Sequence, residues 1–261
     1  MLFRSLRIGT AFSVLLASSV GAQVQTTAKS YLILDLDNNK VIASKNTEDR
    51  RSIASVTKLM TAIVVLDSKP DLTEPVKVVR LKGFTSHIPR NLKYISRAEL
   101  LNLAMVKSDN LAAALLCHYY PGGMENCIRA MNDKAQDLML PNTSFVDPTG
   151  IYAENKSTAT ELSILLLISE GYPEIVRASQ TSVYTIKTQK AKLNYTNTNP
   201  LVAFYNNIEV SKTGWIGQTS GGCLVMLVTH NLTRYAIVLL GSKNTQTRIA
   251  EAKSILDKSL L

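Results

Sequence analysis

Ser55-Val56-Thr57-Lys58 places a hydroxyl and an amine three residues apart. They open a run in which Val56, Leu59, Met60, Ile63, Val64, Val65 and Leu66 leave little polar face. That pattern predicts a helix from Ser55 to Leu66 buried nearly all round. Its spacing sets Ser55 and Lys58 one turn apart on the same face. A serine hydroxyl is a poor nucleophile and needs a neighbouring base. Lysine serves as a base only when neutral, which burial and a second nearby cation both favour.

Two further clusters supply what such a pair would need. Lys212-Thr213-Gly214 ends a strand candidate and offers the second cation. Ser108-Asp109-Asn110 breaks a run of helix-forming residues. Ser108 can relay a proton between the lysines and a leaving amine, and Asn110 can hold both Lys58 and a substrate amide. Thr213 can bond a terminal carboxylate, while Gly214 lets a substrate backbone lie along the strand edge. The helix start at Ser55 turns backbone N–H groups and a positive dipole end toward a developing oxyanion.

Each cluster alone is commonplace: a serine cap, a polar loop, a strand end. All three in this order, each on the element its role requires, point to nucleophilic catalysis of acyl transfer. Rival chemistries lack their residues. There is no Gly-x-Ser-x-Gly elbow, no His-Glu-x-x-His helix and no phosphate-binding loop. His230 precedes Asn231 in a turn and gives a Ser-His-Asp triad no centre. Cys117, Cys127 and Cys223 do not have metal-ligand spacing with His87, His118 and His230, so no metal or other cofactor is expected. Two arrangements suit the cysteines: a Cys117–Cys127 pair across Tyr120-Pro121-Gly122-Gly123, or three small buried side chains.

The elements that must position these groups follow from periodicity. Ser30–Leu36, the turn Asp37-Asn38-Asn39-Lys40 and Val41–Ser44 read as a hairpin. Residues 70–95 read as a surface excursion. Ser96 with Glu99 forms a capping box for a helix to about Lys107, and a second helix runs from Leu111 to Tyr120. A third spans Met124 to Met139; the turn Asp147-Pro148-Thr149-Gly150 and a Thr158–Glu161 box before Leu162–Ile168 come next. Strands return at Ile208–Thr213, Cys223–Thr229 and Tyr235–Leu240, and a helix closes the chain from Arg248 to Leu261. The expected class is α/β (α+β): a five-stranded antiparallel sheet drawn from both chain ends, flanking helices, and a helical subregion beside it.

The 261 residues suit one large domain or two small ones, and 46% hydrophobic with 19% charged content fits a folded globular chain. Arg4 and Arg7, the apolar run Ile8–Val20 and the small residues Val20-Gly21-Ala22 predict a signal peptide over 1–22, which leaves a single domain over 23–261. The net charge is +9, and removing 1–22 takes two basic residues and leaves +7. A basic surface suits nucleic acid, an anionic membrane or an acidic polymer; export argues against nucleic acid, and charge alone does not choose between the other two. No later segment is apolar and long enough to span a membrane.

At these residues the chain resembles the low-molecular-mass penicillin-binding proteins, serine peptidases of the β-lactamase/transpeptidase-like fold. The likeness extends from about Tyr31 to the closing helix through Arg51-Ser52-Ile53-Ala54-Ser55-Val56-Thr57-Lys58-Leu59-Met60-Thr61-Ala62, Tyr120–Gly123, Asp147–Gly150 and Asn197-Thr198-Asn199-Pro200-Leu201-Val202. The longer strings look most like the D-alanyl-D-alanine endopeptidase branch. The resemblance implies acylation on Ser55, Lys58 as base, Ser108 and Asn110 on the second wall, and Lys212 and Thr213 on the substrate carboxylate. It also implies an oxyanion hole from the N–H groups of Ser55 and Trp215, with Arg248 assisting the carboxylate. Peptidoglycan peptides are the implied substrates, β-lactams the implied covalent inhibitors, and the periplasm the implied compartment. Ile216 stands where related sequences often carry threonine. Only 47 residues follow Gly214, which implies neither the C-terminal β-domain nor the membrane anchor of carboxypeptidase relatives.

A D,D-carboxypeptidase is the nearest rival. A β-lactamase would need a deacylating glutamate, and after Ser108 no Glu-x-x-Leu-Asn occurs. A penicillin sensor would be expected to carry a fused membrane segment, and a non-catalytic peptidoglycan binder to lose Ser55 or Lys58. A fluorescent penicillin is therefore expected to label the purified protein stably. Ser55→Ala should abolish the label, read by gel fluorescence; a labelled variant would remove Ser55 from its role.

Overall fold

The computed structural model describes residues 24–188 and 191–258. The expected signal at 1–22 and the last turn of the closing helix lie outside them. The first hairpin is β1 (Ser30–Asp35) and β2 (Lys40–Lys45). The two-residue strand β3 (Arg51–Ser52) leads into a 3₁₀ turn over Ala54–Thr57 and α1 (Lys58–Asp67). The excursion is closed by the short pair β4 (Pro75–Lys77) and β5 (Tyr94–Ser96). Next come α2 (Arg97–Asn102), α3 (Asn110–His118) and α4 (Gly123–Asp137). β6 (Lys156–Ser157) pairs with β3 and precedes α5 (Ala159–Glu170) and α6 (Pro173–Gln180). A second hairpin, β7 (Val183–Lys187) with β8 (Lys192–Thr196), precedes β9 (Ile208–Gly214), β10 (Gly222–His230), β11 (Thr233–Ser242) and α7 (Thr245–Lys258).

The main sheet has the order β2-β1-β11-β10-β9, antiparallel throughout. Ile33 lies opposite Ile237, so the two ends of the chain meet in the sheet centre as expected. Alternate residues feed two cores. Cys223, Val225 and Leu227 of β10 join the larger cluster with α1, α3 and α5. Leu224, Met226 and Val228 join the smaller one with Ala252, Ile255 and Leu256 of α7. A sheet covered on both faces explains why β10 and β11 read as apolar runs rather than alternating ones. Lys58 to Val65 of α1 are all buried, and that helix is the pillar on which the site stands.

Several boundaries moved for local reasons. The Ser96–Glu99 capping box forms in both directions. The Thr158 box forms only in half. Thr158 accepts from Glu161 N, but the Glu161 carboxylate turns to the Asn142 amide and the Thr143 hydroxyl. The helix expected to run to Lys107 loosens into a π turn over Leu103–Lys107. The α6 helix and the β7–β8 hairpin carry mixed patterns that periodicity did not separate. Cys117 and Cys127 form a disulfide joining α3 to α4, and Cys223 stays free and buried, which decides between the two cysteine arrangements. Closing a loop of that separation contributes about 2–3 kcal/mol on the chain-entropy account.

Candidate active site

Backbone crowding fixes Ser55. A Cβ on Gly214 would fall 2.7 Å from the Ile53 carbonyl and 3.0 Å from the Ser55 amide nitrogen. A Cβ on Gly150, at φ +79°, would fall 1.9 Å from the Ala54 carbonyl. The end of β9 and the Asp147–Gly150 turn thus press the serine's own backbone from two sides. Ala54 takes a left-handed φ of 47°, a strained conformation for a residue with a Cβ. The expected α-helical start is a 3₁₀ turn instead, in which the Val56 amide donates to Ile53. The first amides of such a turn lack intrahelical acceptors, so the Ser55 N–H faces outward beside the end of β9. Trp215, half-buried, directly follows Gly214 at the same strand end.

Lys58 is 1% exposed, and its Nζ has three neighbours: Ser55 Oγ at 2.9 Å, Asn110 Oδ1 at 2.8 Å and the Thr149 carbonyl at 2.8 Å. Two of these oxygens carry no hydrogen, so the amine must donate to both. A neutral amine has two N–H groups and one lone pair. It spends the two donors on Asn110 and Thr149 and turns its lone pair to the Ser55 hydroxyl. Burial pushes the Lys58 amine down to about 7, against the pull of Asp147 and Asp109. Lys212 was expected to lower Lys58; burial is the cause resolved there, and the repulsion registers on Lys212. The Lys212 amine is held well below its ordinary value by burial first, then by Lys58 and Arg248. Two ammoniums so placed give up their first proton as a unit.

The second wall comes from the interrupted helix. Ser108 N donates to the Leu103 carbonyl and closes the π turn, Asp109 N donates to the same carbonyl, and Ser108 takes a left-handed φ of 58°. Lys212 Nζ donates to Ser108 Oγ at 2.9 Å and to the Thr213 carbonyl at 3.0 Å. Asn110 Nδ2 donates to Thr85 Oγ1 at 3.0 Å, which sets its Oδ1 toward Lys58. Thr213 Oγ1 donates to Thr198 Oγ1 at 2.6 Å.

Arg248 is buried in the first turns of α7, and its Nη1 donates to the Gly214 carbonyl. Its Nε is buried without a partner among the described residues, and burial lowers its guanidinium to about 10. It is therefore no surface helix arginine; it braces the strand end from behind.

Sequence reasoning brought Ser55, Lys58, Ser108, Asn110, Lys212, Thr213, Gly214, Trp215 and Arg248 to one place, and missed the residues that brace them. The Asp147 carboxylate accepts from the amides of Thr149, Gly150 and Tyr152 and from the Thr149 hydroxyl, so the turn presents its Thr149 carbonyl to Lys58. Asn155 accepts from Val146 and Asp147 and donates to Thr57 Oγ1 and the Asp147 carbonyl. Asp109 is 1% exposed, caps α3 through Ala112 N and accepts from Ser86 Oγ and the His87 amide. An aspartate before a helical run, and one opening Asp-Pro-Thr-Gly, were the available signals. Thr198 lay in the family-like Asn197–Val202 string without an assigned role, and Thr85 carried no signal.

The family profile described as D-alanyl-D-alanine carboxypeptidase, a peptidase S11 family, matches residues 17–244. The chain is 40% identical to a D-alanyl-D-alanine endopeptidase of Escherichia coli (strain K12), over 92% of this chain and 79% of that protein. It is 38% identical to one from Pseudomonas aeruginosa, over 96% and 84% respectively. In three dimensions it is similar to the Streptomyces K15 DD-transpeptidase, with TM-score 0.82, 25% identity and coverage of 91% and 98%. It is also similar in fold to cefotaxime-bound penicillin-binding protein D2 of Listeria monocytogenes, with TM-score 0.82, 21% identity and coverage of 92% and 100%.

The acylation rate should follow the neutral fraction of Lys58. Below its pKa the amine is protonated and cannot take the Ser55 proton, so the rate should rise with pH through a midpoint near 7 and then level. Stopped-flow acylation by a chromogenic cephalosporin reads this. Lys58→Arg, permanently charged, should lose about 10²–10⁴-fold and the rising limb. A midpoint near 10 in the parent would contradict the assignment.

Proposed function

The chain belongs to the D-alanyl-D-alanine carboxypeptidase family of serine peptidases, and within it we propose a D-alanyl-D-alanine endopeptidase that hydrolyses peptidoglycan cross-links through an acyl-enzyme on Ser55. The observation that carries the chemistry is the Lys58 Nζ, 2.9 Å from Ser55 Oγ with two acceptor-only oxygens as its other partners, so that once neutral it has only its lone pair left for Ser55. The cleavage mode is supported by relatives: those named endopeptidases reach 40% and 38% identity, while those named carboxypeptidases lie at 25–29%.

In this reading Lys58 takes the Ser55 proton as Oγ attacks the D-alanyl carbonyl. The N–H groups of Ser55 and Trp215 meet the oxyanion. Ser108, held by Lys212, relays to the leaving amine the proton that Lys58 took, and the C–N bond breaks to leave the acyl-enzyme with Lys58 neutral. Lys58, neutral again, then takes a proton from water as the hydroxide attacks the ester, and gives that proton to Ser55 Oγ as the ester C–O bond breaks. Lys212 and Thr213 hold the substrate carboxylate, with Arg248 adding charge from behind Gly214. β-Lactams would enter by the same acylation and act as covalent inhibitors.

The Cys117–Cys127 disulfide supports an oxidising compartment and, with the sequence of residues 1–22, the periplasm. Among the described residues no helix is long and apolar enough to cross a membrane.

Digestion of purified cross-linked muropeptides, followed by mass analysis, tests the function. The expected product is two monomers from each dimer. Loss of one terminal D-alanine with the cross-link intact would replace the endopeptidase reading with the carboxypeptidase one.

A further inference from the structure

No carboxylate occurs between Glu74 and Glu99, a stretch that carries Lys77, Arg80, Lys82, Arg90, Lys93 and Arg97. None occurs between Glu174 and Glu209 either, where Arg177, Lys187, Lys190 and Lys192 lie. The two stretches build two arms rooted on the same wall of the site. From the excursion, Thr85 holds Asn110 through its hydroxyl and Leu111 N through its carbonyl. Ser86 and the His87 amide bind the Asp109 carboxylate. From the β7–β8 hairpin, Tyr195 donates to the His87 carbonyl at 3.3 Å.

Lys77, Lys82, Arg90, Lys93, Lys187 and Lys192 are exposed, and none forms an ion pair among the described residues. Lys187 and Lys192 stand directly opposite each other on β7 and β8. Facing like charges destabilise a hairpin. Nothing among the described residues compensates them, and an anionic ligand would.

We infer that the two arms form the docking surface for the second stem peptide of a cross-linked substrate, gripped through its free carboxylates. The inference rests on the endopeptidase reading. Ser108 protonates the leaving amine there, so the leaving strand departs across the wall that carries both arms. Lys212 and Thr213 serve the carboxylate next to the scissile bond; the arms serve those farther along the leaving strand. A terminal-residue substrate has no such second strand and gains nothing from them.

The test is binding without turnover. Ser55→Ala protein is titrated into fluorescent cross-linked muropeptide dimer, with its carboxylates free or amidated, and compared with the same protein carrying Lys82→Gln, Arg90→Gln and Lys93→Gln. Affinity for the free-acid dimer should fall about tenfold at low salt, with the gap closing near 0.5 M salt. Amidated dimer should bind weakly and equally to both. The triple variant with Ser55 intact should still take a fluorescent penicillin, which shows that the wall is folded. Unchanged affinity for the free-acid dimer overturns the inference, as does an equal loss for both dimers. Failure of the endopeptidase reading shows separately, as absent cleavage of the dimer by the parent enzyme.

Discussion

A lysine amine sealed from water beside a serine hydroxyl is the interaction on which the rest of this structure depends. Taking an ammonium out of water costs several kcal/mol, and the group responds by giving up its proton. Neutrality alone would leave the lone pair free to point anywhere. Asn110 Oδ1 and the Thr149 carbonyl remove that freedom, because each can only accept. Everything around Lys58 keeps it dry or keeps those two oxygens still. The α1 pillar supplies the dryness: Leu59, Met60 and Ile63 are fully buried, and the sheet closes over them.

Such an arrangement opposes stability. The folded pKa of Lys58 lies below its ordinary 10.5, so between about 7 and 10.5 the unfolded chain binds more protons. Its contribution is therefore least favourable below about 7 and recovers as pH rises through that window. The strained φ of Ala54 and of Ser108 adds to the cost. Two cores on opposite faces of the sheet and the disulfide between α3 and α4 offset it. Strain gathers where Ser55 and Ser108 must be held, and regular packing lies elsewhere.

Chemistry was more legible in the sequence than support. Ser55–Lys58, Ser108–Asn110 and Lys212–Gly214 are local strings whose residue types state their roles, and the sheet strands announce themselves by apolar runs. The hubs that brace them act through the backbone. Asp147 binds three amides within its own turn, and Asn155 ties that turn to Thr57, contacts that exist only after folding. Thr85 and Thr198 reach the site from segments with no periodic pattern. Glu161 shows the converse, since its spacing from Thr158 promised a capping box while tertiary partners at Asn142 and Thr143 claimed its carboxylate. Arg248 was legible only through the family resemblance, and its burial could not be read from the sequence because it comes from the start of α7 packing behind Gly214 and Gly222.

The central claim is that Lys58 is a neutral base at physiological pH. Direct titration of its side chain tests this, using protein labelled with ¹³C and ¹⁵N in lysine and following the Cε and Nζ shifts between pH 5 and 11. Loss of a resonance in Lys58→Arg assigns the signal. The account predicts a midpoint near 7, far from the bulk of the lysines. A Lys58 that stays protonated past pH 9 would contradict it.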